Sequence, residues 1–138
     1  MELKASKEIV IRFNEADMLQ IVWHGHYVNY FEEGRQAFGE KYGLGYLQVY
    51  EKGFSIPIVK LNVDYKRPLK FGDTAIVEAV YVPSDAAKLI FKYTIKRKGF
   101  EEIVATGETT QVFLSTKGEL SLIVPDFFHD WKLKFLKK

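Results

Sequence analysis

The sequence predicts an α+β fold, one helix laid against an antiparallel sheet, on three observations. Apolar residues from Tyr27 onward recur at helical spacing, the segments from Val59 onward alternate apolar and polar with a period of two, and short turns rich in Gly, Pro and Asp separate them. Short connections favour antiparallel neighbours. An amphipathic helix followed by a meander of half-polar strands must bury its apolar stripe on the apolar face of the sheet.

Taken in order, Glu8 to Asn14 (EIVIRFN) is short and β-branched, which predicts a first strand, with an irregular segment after it. The helix follows, with Tyr27, Tyr30, Phe31, Ala37 and Phe38 on one face and Asn29, Glu32, Glu33, Gln36 and Glu40 on the other. It ends near Gly43 and Gly45. Glu33, Arg35, Glu32 and Glu40 are expected at the surface or at a subunit contact, because a charge on the far side of a helix needs no catalytic explanation. Val59, Leu61, Val63 and Tyr65 alternate with Lys60, Asn62, Asp64 and Lys66. Leu89, Phe91, Tyr93 and Ile95 do the same with Lys88, Lys92, Thr94 and Lys96, so both segments read as half-buried strands. Thr74 to Val82 and Ile103 to Leu114 supply two more. Pro125 and Asp126 start a terminal helix with Phe127, Trp131 and Phe135 at four-residue spacing.

Composition narrows the function classes. The 138 residues, 47% hydrophobic, suit one domain (1–138) with a sizeable core. The absence of Cys removes disulfides, thiolate metal sites and a Cys nucleophile together, and agrees with a cytoplasmic location. No run approaches the roughly 20 apolar residues of a membrane span, and the N-terminus lacks the apolar centre of a signal peptide. A net charge of +2, from 20 basic against 18 acidic residues, is too weak a field to argue for nucleic acid. Basic clusters stand at Lys66-Arg67, at Lys96-Arg97-Lys98 and at Lys132, Lys134, Lys137 and Lys138. They read first as solvated strand and helix ends, and otherwise as contacts for a phosphate-bearing ligand. There is no G-x-S-x-G, no P-loop and no G-x-G-x-x-G.

Chemistry concentrates in DMLQIVWHGHY, Asp17 to Tyr27. Free N–H groups at a helix start can polarise a carbonyl, while a carboxylate a few residues upstream can attack it or activate water, which suggests acyl transfer to water. Met18, Leu19, Ile21, Val22 and Trp23 around Asp17 predict its partial burial, where a carboxylate needs a partner or a task. His24 and His26 form an H-x-H pair, but the third His, His129, lies in the C-terminal segment, so no metal is expected. The His24 imidazole could donate to a carbonyl or to a leaving thiolate, or it could be a turn residue satisfied by backbone. Gly25 either permits close approach of substrate or simply makes the turn into the helix. Trp23 could line an acyl pocket.

Asp17, Val22, His24 and Tyr27 fall on the signature Asp-x-x-Gly-x-Val-x-(His/Asn/Tyr)-x-x-Tyr, and here the chain resembles the 4-hydroxybenzoyl-CoA thioesterase-like branch of the hotdog-fold acyl-CoA thioesterases. The likeness continues through Tyr30-Phe31-Glu32-Glu33-Gly34-Arg35, Gly43, Asp64-Tyr65-Lys66-Arg67-Pro68 and Gly72-Asp73. It departs at Gln20, where the family usually carries Gly. The resemblance implies a hotdog, an antiparallel sheet curved around one long helix, and hydrolysis of an acyl-CoA without metal or organic cofactor. It implies Asp17 as general base or nucleophile, the N–H of His24 as oxyanion donor, and a homodimer or homotetramer with each site built across the subunit interface. Cations of the Lys88 to Arg97 strand would meet the coenzyme A phosphates, Lys88 first, because it follows the turn Pro83 to Ala87. Two other readings stand beside it: an acyl-carrier-protein thioesterase using the same residues, and a non-hydrolytic acyl-thioester binding or regulatory protein. Hotdog dehydratases match less well, since their pattern is centred on His.

Overall fold

The computed structural model describes residues 2–136. Five strands, β1 (Lys4–Val10), β3 (Ile58–Tyr65), β4 (Thr74–Val82), β5 (Lys88–Arg97) and β6 (Ile103–Val112), form one antiparallel sheet in the order β1-β4-β5-β6-β3. A two-residue β2 (Phe54–Ser55) pairs with β7 (Leu114–Ser115) beside it. Helix α1 (His26–Tyr42) lies against β1, β4 and β5. This is the helix-on-sheet arrangement that the alternation and the hotdog resemblance both lead to.

The core forms where the two periodicities meet. Tyr27, Tyr30, Phe31 and Phe38 of α1 are buried on Ala75, Val77, Ala79 and Tyr81 of β4 and on Leu89, Phe91, Tyr93 and Ile95 of β5. Phe31 stacks on Tyr93 at 4.8 Å and fits only because β6 offers Gly107 beneath it, where any Cβ would overlap the phenyl ring. Gly43, at φ 72°, ends α1 in the left-handed region. The terminal helix α3 (Asp126–Leu136) closes that end, burying Phe128 and Trp131, and the Trp131 indole N–H donates to the last carbonyl of α1, Tyr42 O, at 2.8 Å. Lys137 and Lys138, in the basic C-terminal cluster, lie outside the described residues.

Four expectations are corrected. The first strand runs Lys4–Val10, earlier than Glu8 to Asn14, because Phe13–Glu15 winds into a short 3-10 turn held by the Arg12 N–H on the Glu15 carboxylate at 2.7 Å. A helix α2 (Tyr46–Glu51) follows Gly45 where none is expected. Strand β3 is largely exposed rather than half-buried, with Val59 60% and Leu61 39% exposed and Val63 partly buried against the core, because it is a sheet edge with β6 on one side and no strand on the other among the described residues. Arg35 is fully buried rather than on the surface. Its Nε donates to Gln111 Oε1 at 3.1 Å and its Nη2 to Leu44 O at 3.0 Å, while the guanidinium lies over the rings of Phe91 and Tyr46.

Candidate active site

The acid of the DMLQIVWHGHY segment sits on a tight hairpin. Ala16 bridges Val22, the Asp17 N–H donates to Ile21 O at 2.8 Å, and the Gln20 N–H donates to Asp17 O at 2.9 Å. Gln20 takes φ 66°, so the left-handed step that a Gly would make at this position is kept by a residue with a side chain. The Asp17 carboxylate accepts the Leu19 N–H at 2.8 Å, an Asx turn that fixes its rotamer. The hairpin is clamped to the β3–β4 connection by the Val22 N–H on Leu69 O at 2.8 Å and by an Ile21–Lys70 bridge.

Asp17 is exposed in the protomer, contrary to the expected partial burial, and its neighbours Met18 and Leu19 are 97% and 76% exposed. Of the apolar residues that suggested burial, Met18 and Leu19 are turn residues at the hairpin tip and lie open in the protomer, whereas Val22 is buried on the side away from the Asp17 carboxylate's turn.

The chain then turns into α1 through Trp23, His24 and Gly25. The His26 N–H donates back to Trp23 O at 3.0 Å, whereas among the described residues the N–H groups of His24 and Gly25 have no acceptor, as at an uncapped helix start. The Tyr65 hydroxyl, at the end of β3, donates to His24 O at 2.7 Å and holds this turn against the sheet. Gly25 has an ordinary helical φ of −70°, and its smallness has another purpose: any Cβ there would overlap the Trp23 indole, which folds back over it. Trp23 packs beside the rings of His24 at 4.9 Å and His26 at 5.5 Å.

Beside this turn lies a cavity of about 280 Å³ lined by Val22, His24, Tyr27, Tyr65, Lys66, Arg67 and Pro68. Val22 and Tyr27 are buried and give it an apolar floor, while Lys66 and Arg67 put positive charge at its rim. The Tyr27 hydroxyl accepts the Leu69 N–H at 3.1 Å, and burial outweighs that bond to hold its pKa above the ordinary tyrosine value. Of the residues singled out in the sequence, His24 faces the cavity. Asp17 lies on the adjoining hairpin, and Trp23 and Gly25 form the turn outside the lining. Lys88 stands at the start of β5, about 30 Å along that strand from the Arg97 end nearest the site. Tyr65 had no assigned site role, and Lys66 and Arg67 entered only as a basic cluster that a phosphate-bearing ligand could meet, although all three fall in the matched run Asp64 to Pro68. Period-two spacing put Tyr65 on a strand face and carried no sign that its hydroxyl reaches a carbonyl 41 residues away. No cluster among the described residues could hold a metal ion.

Residues 11–132 match the Thioesterase-like superfamily. The chain belongs to that superfamily. Among curated relatives, the "Putative acyl-CoA thioesterase YneP" of Bacillus subtilis is 35% identical over 91 residues, 66% of each chain. The acyl-acyl carrier protein thioesterase ATL3 of Arabidopsis thaliana is 28% identical over 110 residues, covering 80% of this chain and 58% of its own. The chain thus spans 66% and 58% of the length of these two relatives. Among solved structures, the hypothetical protein TT1821 of Thermus thermophilus superposes with a TM-score of 0.80 at 28% identity, over 91% of this chain and 95% of its own. A 4-hydroxybenzoyl CoA thioesterase complexed with 4-hydroxybenzoyl CoA superposes at 0.81 and 22% identity, over 94% and 98%, a likeness of fold alone. The fold is the hotdog of this thioesterase superfamily.

Proposed function

We propose that the protein hydrolyses an acyl-CoA thioester to a carboxylic acid and free coenzyme A. The observation that supports this reading is the ordered hairpin that holds Asp17 in an Asx turn and leads directly into a helix start whose His24 and Gly25 N–H groups have no acceptor among the described residues, with His24 lining a partly apolar cavity. A thioester carbonyl directed at those N–H groups gains a donor for the oxygen that becomes anionic, with the positive end of α1 behind it. Asp17 then either takes the proton of a water that forms the new C–O bond, or forms that bond itself as a mixed anhydride that water opens. On both routes the C–S bond breaks, the thiolate leaves and is protonated, and one water is consumed. The reaction as written calls for no metal and no organic cofactor. The two relatives, named as a putative acyl-CoA thioesterase and an acyl-acyl carrier protein thioesterase, support the reaction class.

We further propose that the working form is at least a homodimer. The unpaired β3 edge, with Val59 and Leu61 exposed, and the bare hairpin tip at Met18 and Leu19 are surfaces that a second copy would cover. Antiparallel pairing of two β3 edges would set the Ile58 end of one copy beside the Tyr65 end of the other, adding a wall over Asp17. Since β5 runs parallel to β3 in each copy, Lys88 would then approach the site of its neighbour rather than its own.

The test is release of free thiol from a panel of acyl-CoA esters, with the same acyl groups presented on acyl-carrier protein. Turnover of acyl-CoA is expected. Turnover only on the carrier protein would move the substrate to that class, and binding without thiol release would reduce the protein to an acyl-thioester binder.

A further inference from the structure

Among the described residues, Gln20 alone holds a positive φ without being glycine, and it does so on the hairpin that carries Asp17. The hydrogen bonds there define a β-bulge. The Gln20 N–H donates to Asp17 O at 2.9 Å and the Asp17 N–H donates to Ile21 O at 2.8 Å, so Gln20 and Ile21 together stand opposite Asp17. The first residue of such a bulge is left-handed, a conformation that glycine adopts freely and that a residue with a Cβ takes against its backbone preference. Both backbone groups of Gln20 are spent, the N–H on Asp17 and the carbonyl on the Phe71 N–H at 3.3 Å. Its side chain is exposed, and its carboxamide makes no hydrogen bond among the described residues. The Asp17 carboxylate is half used: Oδ1 accepts the Leu19 N–H at 2.8 Å, and Oδ2 has no partner among the described residues. An unpaired carboxamide held on a strained backbone opposite the acid points to a task in the site rather than in the fold. A carboxamide oxygen and a carboxylate oxygen can accept the two protons of one water, which leaves a lone pair of that water free for a carbonyl carbon.

We propose that Gln20 is a further catalytic residue, its carboxamide orienting the hydrolytic water between itself and the free oxygen of Asp17. The proposal rests on the hydrolysis reading and selects the general-base route within it. One water proton passes to Asp17, while the other stays on the attacking oxygen and is held by Gln20 Oε1. The new C–O bond forms, the C–S bond then breaks, and the proton on Asp17 goes to the leaving thiolate.

The test is thiol release from the best acyl-CoA of the panel by the parent, Gln20→Gly and Gln20→Met. Gly removes the side chain and relaxes the backbone, so that variant should melt about 2–4 °C above the parent. Met keeps the length of the side chain and the left-handed step but loses both polar atoms, and it should melt with the parent. Each variant should lose about tenfold in kcat, the scale of one hydrogen bond made to the reacting water, with KM within about twofold. In an Asp17→Asn background the same substitutions should cost less than about twofold, because orienting a water that is no longer deprotonated gains little. Parental kcat in either variant would overturn the proposal, as would a rise in KM with kcat kept, or a tenfold loss that persists beside Asp17→Asn. A parent that releases no thiol defeats the hydrolysis reading itself, whereas an active parent with equally active variants defeats only the assignment of Gln20.

Discussion

Tyr65 holds together the two parts of the site that come from distant sequence. Its hydroxyl anchors the His24 carbonyl, and its ring meets Tyr27 edge-on at 5.1 Å, so the turn before α1 is fixed to the end of β3. Tyr65→Phe keeps the ring contacts and removes one hydrogen bond at a half-exposed position, worth about 1 kcal/mol. We expect kcat to fall roughly fivefold with KM little changed and the melting temperature lowered by only about 2–4 °C, since the lost bond also sets the aim of the His24 N–H group. An unchanged kcat would remove Tyr65 from the positioning of the turn. The tyrosines also set an alkaline limit. Burial, with the Glu32 carboxylate adding to it, pushes the Tyr46 pKa up to about 12, and burial alone does the same for Tyr81. Between the ordinary value of 10.0 and these raised values the unfolded chain releases protons that the folded chain keeps. Stability from these groups is therefore fully present below about pH 10 and declines as pH rises toward 12. Thermal melts paired with tyrosinate absorbance should show loss of structure coinciding with late tyrosine ionisation; early ionisation with the fold intact would contradict it.

The element that the sequence left unread, α2, is tied down by the buried Arg35 and the groups around it. Arg35 reaches Gln111 and Leu44 O, Gln111 Nε2 donates to Ile56 O at 2.7 Å and to the Tyr46 hydroxyl at 3.1 Å, and that hydroxyl donates to Glu32. Four segments, α1, α2, the approach to β3, and β6, meet there. One guanidinium nitrogen, Nη1, has no partner among the described residues, and burial lowers the Arg35 pKa from its ordinary value. Arg35→Met keeps much of the volume but leaves the Gln111 and Leu44 acceptors unpaired, so we expect a loss of about 2–4 kcal/mol in denaturant unfolding. A stability equal to the parent's would mean that the network is not what holds α2. Periodicity made α1, β4 and β5 legible because their burial follows a regular face. It misplaced Arg35 because a charged residue on a helix is normally exposed, and only the tertiary network, built from residues up to 76 positions away, accounts for its burial. The start of β1 was missed for a local reason, since Lys4 to Lys7 carries polar residues on the outer face of a strand whose pairing with β4 decides its length.

At the scale of the whole molecule, the sequence signature puts Asp17 and His24 in one site; the structure leaves Asp17 bare on the hairpin that leads through Val22 and Trp23 into α1, and lines the cavity with His24. Apolar neighbours at a hairpin tip predicted burial that one protomer does not supply, and the same tip and the β3 edge are the surfaces we assign to a second copy. Light scattering should therefore give a dimer or larger, and Leu61→Lys, which places charge on that edge, should shift it toward monomer and cut turnover. A fully active monomer would contradict the assembly. The central claim concerns the acid itself. Asp17→Asn retains the size of the side chain and an acceptor for the Leu19 N–H, but not the charge that attacks or deprotonates water. Measured by thiol release from the best acyl-CoA of the panel, with melting temperature and oligomeric state matching the parent, kcat should fall about 10²-fold or more. Hydrolysis at the parental rate by a correctly folded and assembled Asp17→Asn protein would contradict the account.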